Sequence, residues 1–179
     1  PFCQATKQAD AKAFTQLMEH IKAYDKDQTV ILMQPQNEVG MFQDIDYNQV
    51  SLNLYKQSVP KQLTSYLKKN KSHLKPYLKD AWSKSNFKTN GTWKEIFGDT
   101  PESKAFFTTW QYATYINYVA KMGREQYNLP MMVNAWIVQK PEDLDLTFYA
   151  SEAVLMNDDS STPVTLSFYQ KIFITLRSR

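Results

Sequence analysis

The chain has 179 residues, of which 42% are hydrophobic and 14% aromatic, and its formal net charge at pH 7 is +3. This composition is typical of a single globular domain and excludes a disordered chain, and the longest apolar run, Val30 to Met33, is far too short to span a membrane. One cysteine, Cys3, and two histidines exclude a disulfide framework and a Cys/His zinc site. No metal and no cofactor are predicted.

The first forty residues are predicted to form a helix followed by a buried strand. Helical spacing of apolar residues places the helix over residues 7–24, with the stripe Phe14, Leu17, Met18 and Ile21. The run Thr29–Met33 is short, apolar and rich in β-branched residues, as in a buried parallel strand. We therefore expect an α/β sheet.

Helical patterns dominate the middle of the chain. Residues 46–84 are predicted to be helical, with a helix start at Pro60. A turn-rich loop over 85–100 is expected to pack through its aromatic residues, and a long helix is predicted over 101–127.

A second buried strand is predicted over 129–137. The character of the sequence then changes, because no glycine follows Gly123. Alternating apolar residues between Val164 and Leu176 predict a strand or hairpin in this tail.

Polar residues follow both predicted strands, where parallel α/β proteins bind ligands. They are Gln34, Gln36, Asn37 and Glu38 after the first strand, and Asn134, Trp136 and Gln139 at the second. Amides, an aromatic ring and one carboxylate suit a hydroxyl-rich ligand such as a sugar. Apolar neighbours would favour the neutral form of Glu38, as a general acid requires. The same residues could instead cap helices or form turns, and Trp110 and Trp136 could belong to the core.

Several sequence blocks resemble the clan-A glycoside hydrolases, above all the β-galactosidases of family 35. Segment 29–40, TVILMQPQNEVG, resembles the family's fourth strand, which ends Q-x-E-N-E-[YVI]-G. Further blocks are similar in the same order: DAKAFTQLMEHI at 10–21, GTWKEIFG at 91–98, WQYATY at 110–115 and LPMMVNAW at 129–136. Several blocks that match in the family's own order are more specific evidence for the family than a single motif is.

The resemblance implies retaining hydrolysis of terminal β-galactosides in oligosaccharides or polysaccharides, with Glu38 as the general acid/base. It implies that Asn37 binds the sugar 2-hydroxyl. Gln34, Asn134 and Trp136, which lie at the ends of the predicted strands, are expected to complete the substrate site. It implies a partial (β/α)8 TIM barrel that covers about the fourth and fifth strands, followed by an unmatched β-like tail. A periplasmic or secreted location follows from the resemblance alone, and neither a nucleic-acid nor a membrane partner is expected.

The chain also departs from the family. Gln36 stands where the family usually has glutamate. The nucleophile should follow the last matching block, which divides the chain into a barrel segment, 1–139, and a divergent or frame-shifted tail, 140–179. Glu152 is the candidate carboxylate there, although a solvated turn residue is the favoured interpretation. We therefore expect little turnover and marginal stability from these 179 residues alone.

Two other functions remain open at the level of the sequence. A non-catalytic carbohydrate-binding domain would use Trp93, Trp136 and the amides as its sugar platform. Nucleic-acid binding would use a lysine-rich helical face with interleaved tyrosines, namely Lys61, Lys68, Lys69, Lys71, Lys75 and Lys79 with Tyr66 and Tyr77. A solvated helix face explains these lysines equally well.

Overall fold

The computed structural model describes residues 2–39, 44–74, 76–135 and 172–176. Within these ranges helices predominate, and the elements follow one another in the order α1 (Gln4–Tyr24), β1 (Asn37–Val39), α2 (Gln49–Tyr55), α3 (Lys61–Lys69), a 3-10 helix (Lys71–His73), α4 (Pro76–Ser83), α5 (Trp93–Phe97), α6 (Pro101–Gln126), β2 (Met131–Ala135) and β3 (Ile172–Leu176). None of the helices in these ranges combines the length and hydrophobicity needed to cross a membrane.

The predicted α/β fold, a partial (β/α)8 TIM barrel, is wrong. A barrel requires strands that alternate with helices and pair in parallel around a ring. Here the described strands have only three to five residues each, and five α-helices lie between β1 and β2. Furthermore, β1 and β2 pair in parallel but β2 and β3 pair antiparallel. The described residues thus form a mostly helical protein with a minor strand component.

The predicted strand over Thr29–Met33 is also wrong. Only Met33 pairs there, through an isolated parallel bridge to Met131, and regular pairing begins at Asn37. An apolar run indicates a strand only when it is covered on both faces, and Ile31 is 77% exposed. The predicted apolar stripe of α1 is also only partly buried. Phe14 and Met18 are buried, but Leu17 is 46% exposed because α1 packs against the core through one face.

Two compact units make up the chain. Unit 1 combines Pro1–Gly40 with Thr109–Arg179, and unit 2 is the continuous segment Met41–Thr108. Each unit has its own apolar core and is described by itself. The boundary predicted after residue 139 lies outside the described residues.

The core of unit 1 lies between α1 and the second part of α6. Phe14 and Met18 of α1 are buried against Ile116 and Val119 of α6, and Met131 at the start of β2 is fully buried with them. Helical spacing on both elements produces these contacts, since Phe14 and Met18 are one turn apart. The core thus includes Met131, the first residue of β2, which anchors that strand.

The junction between α1 and the following segment is held by Asp25. Its carboxylate accepts hydrogen bonds from the Thr29 backbone N–H at 2.7 Å, the Thr29 hydroxyl at 2.7 Å and the Val30 N–H at 2.9 Å. These donors favour the charged form and lower the pKa of Asp25. The chain direction after α1 is therefore linked to the ionisation of one carboxyl group.

This link predicts a pH dependence of stability. Because the pKa of Asp25 is lower in the folded state, its stabilising contribution is present above the unfolded value of about 3.9 and is lost as the pH falls through the folded value. The free energy of unfolding, measured by urea titration, should fall less steeply below about pH 4 in Asp25→Asn than in the original protein. Asp27→Asn is the control, and an equal slope in both variants would contradict the assignment.

Unit 2 is built around a buried aromatic cluster, which we define as Trp93, Phe97, Phe106 and Phe107. The Trp93 ring contacts the other three with centroid separations of 6.0, 5.8 and 5.2 Å, respectively. Each of the four side chains is no more than 1% exposed. The prediction that the loop over 85–100 packs through its aromatic residues is therefore confirmed.

A polar network closes the loop between α5 and α6. The Ser103 hydroxyl lies 2.7 Å from the Gly98 carbonyl oxygen and 2.9 Å from the Tyr55 hydroxyl. Gly98 has a φ of +85°, a conformation that favours glycine, and it ends α5. Burial raises the pKa of Tyr55, so its hydroxyl remains a neutral hydrogen-bonding group.

Candidate functional site

The candidate site lies at the pairing of β1 with β2 in unit 1. The two strands are parallel, and Asn37 stands directly opposite Asn134 in the backbone register. Val39 stands opposite Ala135, with an irregularity in the register between Asn37 and Val39. Glu38 is the residue at that irregularity. Irregular pairing of this kind is common next to functional sites, because it changes the direction in which a strand presents its residues.

The segment before Glu38 is aligned by Met33. The Met33 N–H donates to the Pro130 carbonyl oxygen at 3.0 Å, and the Met33 carbonyl oxygen accepts from the Met132 N–H at 2.8 Å. Met131, which bridges Met33, is fully buried. Backbone hydrogen bonds at Met33 thus align the segment before β1 with the start of β2.

Three of the predicted site residues are brought together by this pairing, namely Asn37, Glu38 and Asn134. Gln34 lies half-buried between the Met33 bridge and β1. Trp136 follows β2 directly but lies outside the described residues, as do Gln139 and Glu152. The amide pair and the carboxylate therefore share one short stretch of paired backbone, although they come from distant parts of the chain.

The suggestion that Trp93 is a sugar platform is wrong. Trp93 is 1% exposed and is enclosed by aromatic rings of unit 2. A stacking platform must present one ring face to the ligand, which this side chain does not. Trp110 is 4% exposed and is likewise a core residue.

A second polar contact in unit 1 was missed at the level of the sequence. The Tyr115 hydroxyl of α6 donates to a carboxylate oxygen of Asp10 on α1, 105 positions away in the chain. Burial, followed by the hydrogen bond to Asp10 and then the charge of Asp10, raises the pKa of Tyr115. Helical periodicity places Tyr115 on a buried face but does not identify a partner this distant. The contact holds α1 against α6, so we assign it a structural role.

Asn117, also on α6, has a buried side-chain nitrogen without a hydrogen-bond partner among the described residues. It lies one turn from Ala113 and from Ala120, both core residues of unit 1. Cys3 directly precedes α1 and is exposed, and hydrogen bonds with Thr6 lower the pKa of its thiol.

The described residues contain no group of three or more His, Cys, Asp or Glu side chains placed to hold a metal ion. Comparison with known proteins adds no further identification. No protein-family model matches the chain, and no curated protein matches it.

Proposed function

We propose that this chain carries the proton-transfer group of a retaining glycoside hydrolase that acts on terminal β-galactosides, with Glu38 as the general acid/base. The observation that supports this most directly is the β1–β2 register, in which Asn37 lies opposite Asn134 with Glu38 beside them. Two segments about 100 positions apart thus bring together the residues of the two motifs that resemble the family.

The proposed chemistry uses one carboxyl group twice. In the first step the Glu38 carboxylic acid donates its proton to the glycosidic oxygen as the bond from this oxygen to the anomeric carbon breaks. In the second step the Glu38 carboxylate takes a proton from the water that attacks the glycosyl intermediate. The intermediate is held by a second carboxylate, which in retaining enzymes lies about 5–5.5 Å from the first.

The two asparagines would provide binding and orientation. An amide side chain both donates and accepts hydrogen bonds, which suits a sugar hydroxyl group. Asn37 is assigned to the 2-hydroxyl, where a hydrogen bond strengthens as the transition state develops. Asn134 is assigned to a neighbouring hydroxyl, because it stands opposite Asn37 in the backbone register.

The start of the β1–β2 pairing belongs to the core of unit 1. Met131, the first residue of β2, is 0% exposed and bridges Met33. This packing supports the position of the two strands that carry Asn37, Glu38 and Asn134. The alternative, a non-catalytic carbohydrate-binding domain, is less well supported. It requires Trp93 as one of its two sugar-stacking rings, and Trp93 is buried.

Substitution of Glu38 by glutamine tests the acid/base assignment. With protein expressed from the complete gene, we expect the rate of hydrolysis of an aryl β-galactoside with a poor leaving group to fall at least about a hundredfold. Hydrolysis of a substrate with a good leaving group should be less affected in its first step, and azide should restore turnover by replacing the activated water.

Glu19→Gln is the matched control, because Glu19 is an exposed glutamate of α1 in the same unit. This control should retain full activity. If Glu38→Gln retained the activity of Glu19→Gln on the substrate with the poor leaving group, Glu38 would not be the acid/base.

A further inference from the structure

Unit 2 contains the highest density of positive charge in the chain. Residues 47–79 contain no aspartate and no glutamate. They contain seven lysines, which are Lys56, Lys61, Lys68, Lys69, Lys71, Lys75 and Lys79. The whole chain has a net charge of only +3, so acidic residues elsewhere offset this segment. A segregated charge of this kind raises the local concentration of anions.

Helix α3 presents part of this charge to solvent. Its apolar side is buried through Leu63 and Leu67, which are both 0% exposed. Its other side carries three exposed lysines, Lys61, Lys68 and Lys69, which we call the α3 lysine surface. Lys61 and Lys68 are two turns apart, so they share one face with their Cα atoms about 10 Å apart. Two positive charges are therefore spaced along one side of the helix.

The α3 lysine surface has no internal counterions among the described residues. The ion pairs described in unit 2 join Lys94 and Lys104 to Asp99. Like charges that remain unpaired repel one another and destabilise the folded state. An anionic partner would remove this repulsion. Lysine can bind sulfate and carboxylate groups, because its compact ammonium group lies at the end of a flexible side chain and carries three hydrogen-bond donors.

Nucleic acid fits this surface less well. Unit 2 contains no arginine, the residue that most often reads guanine through paired hydrogen bonds. Single-stranded nucleic acids also require exposed aromatic rings for stacking. Among the described aromatic side chains of unit 2, Tyr47 is the exposed one, at 60%. It precedes α2 and does not belong to α3.

We propose that the α3 lysine surface binds an anionic galactan, a galactose polymer that carries sulfate or carboxylate groups. The positive charge selects for an anionic polymer. The choice of a galactan among such polymers rests on the proposed β-galactosidase function.

Binding of a sulfated galactan to the protein, compared with the same galactan after chemical desulfation, tests the inference. We expect the sulfated polymer to bind at least about tenfold more tightly at low salt and to lose affinity as the salt concentration rises. The triple variant Lys61→Gln, Lys68→Gln, Lys69→Gln should bind it about tenfold more weakly. The matching lysine-to-arginine variant, which keeps the charges, should bind it as the original protein does.

The control variant removes the same number of exposed lysines from unit 1, as Lys12→Gln, Lys22→Gln, Lys26→Gln. Its affinity for sulfated galactan should be unchanged. Equal affinity for the sulfated and desulfated polymers, or equal losses in both triple glutamine variants, would overturn the inference. Tighter binding of a single-stranded oligonucleotide of equal charge would overturn it in favour of nucleic acid. Glu38→Gln should leave binding intact, so failure of the hydrolase proposal is distinguishable from failure of this one.

Discussion

Substitution of Trp93 by alanine should destabilise unit 2 by about 3–5 kcal/mol, the usual cost of truncating a buried tryptophan. Trp93 is 1% exposed and contacts three aromatic rings. Two of these contacts, with Phe106 and Phe107, are edge-on, with interplanar angles of 72° and 77°. Alanine would remove both the transfer free energy and these specific ring contacts, and it would leave a cavity. Urea titration followed by circular dichroism measures the loss.

Trp93→Phe is the informative control, because phenylalanine retains an aromatic ring but not the full volume. We expect a loss smaller than that of alanine. Trp93 also lies at the start of α5, where Thr92 and Glu95 form a reciprocal capping box. This cap uses the backbone and its own side chains, so it should survive both substitutions. If Trp93→Ala unfolded with the midpoint of the original protein, the aromatic cluster would not be the core of unit 2.

Substitution of Gly123 by alanine should destabilise unit 1 by about 1–3 kcal/mol through overpacking. Gly123 lies within α6, where alanine is ordinarily favoured over glycine by about 1 kcal/mol. A methyl group at this position would collide with the ring of Phe14 and lie 3.0 Å from the Met18 side chain. Phe14 is buried in the core of unit 1, where close packing limits how far its ring can shift. The collision therefore outweighs the gain in helix propensity.

A double-mutant cycle separates the collision from other effects. Phe14→Leu removes the ring that collides, so Gly123→Ala should cost less in the Phe14→Leu background than in the original protein. Glu125→Ala, an exposed substitution in the same helix, should change the free energy of unfolding by no more than about 0.5 kcal/mol. A net stabilisation by Gly123→Ala alone would show that α1 and α6 are packed less closely than the structure indicates.

Helices were the part of the fold that local patterns predicted best. The long helix α6 begins at Pro101 as expected, because proline suits the first turn of a helix, and α1 ends at Tyr24, before the polar turn at Asp25. Two of the three predicted strands are confirmed, since β2 lies within 129–137 and β3 lies within the alternating pattern of the tail, but the first strand was misplaced. Apolar composition marked Thr29–Met33, yet regular pairing begins at Asn37, because pairing depends on which neighbour a strand has and not on its own composition.

The candidate site was predictable to the extent that it depends on local motifs. The polar residues that follow two apolar runs led to the prediction that Asn37, Glu38 and Asn134 lie near one another, and the backbone register places them so. The misassignment of Trp93 has a different cause. An aromatic residue in a turn-rich loop has the same sequence pattern whether it covers the surface or fills the core. Only contacts with Phe106 and Phe107, outside that loop, decide between the two.

The interruption of unit 1 by unit 2 has a consequence for folding during synthesis. Unit 2 is one continuous segment, Met41–Thr108, so all of its core residues have been synthesised before most of α6 is added. Unit 1 cannot form its core until α6 and β2 have been added, since α1 and β1 wait for partners about 100 residues later. Closing a loop of that length is slow when the loop is disordered. If unit 2 folds first, the disordered loop is shorter, and the apolar face of α1 is covered sooner.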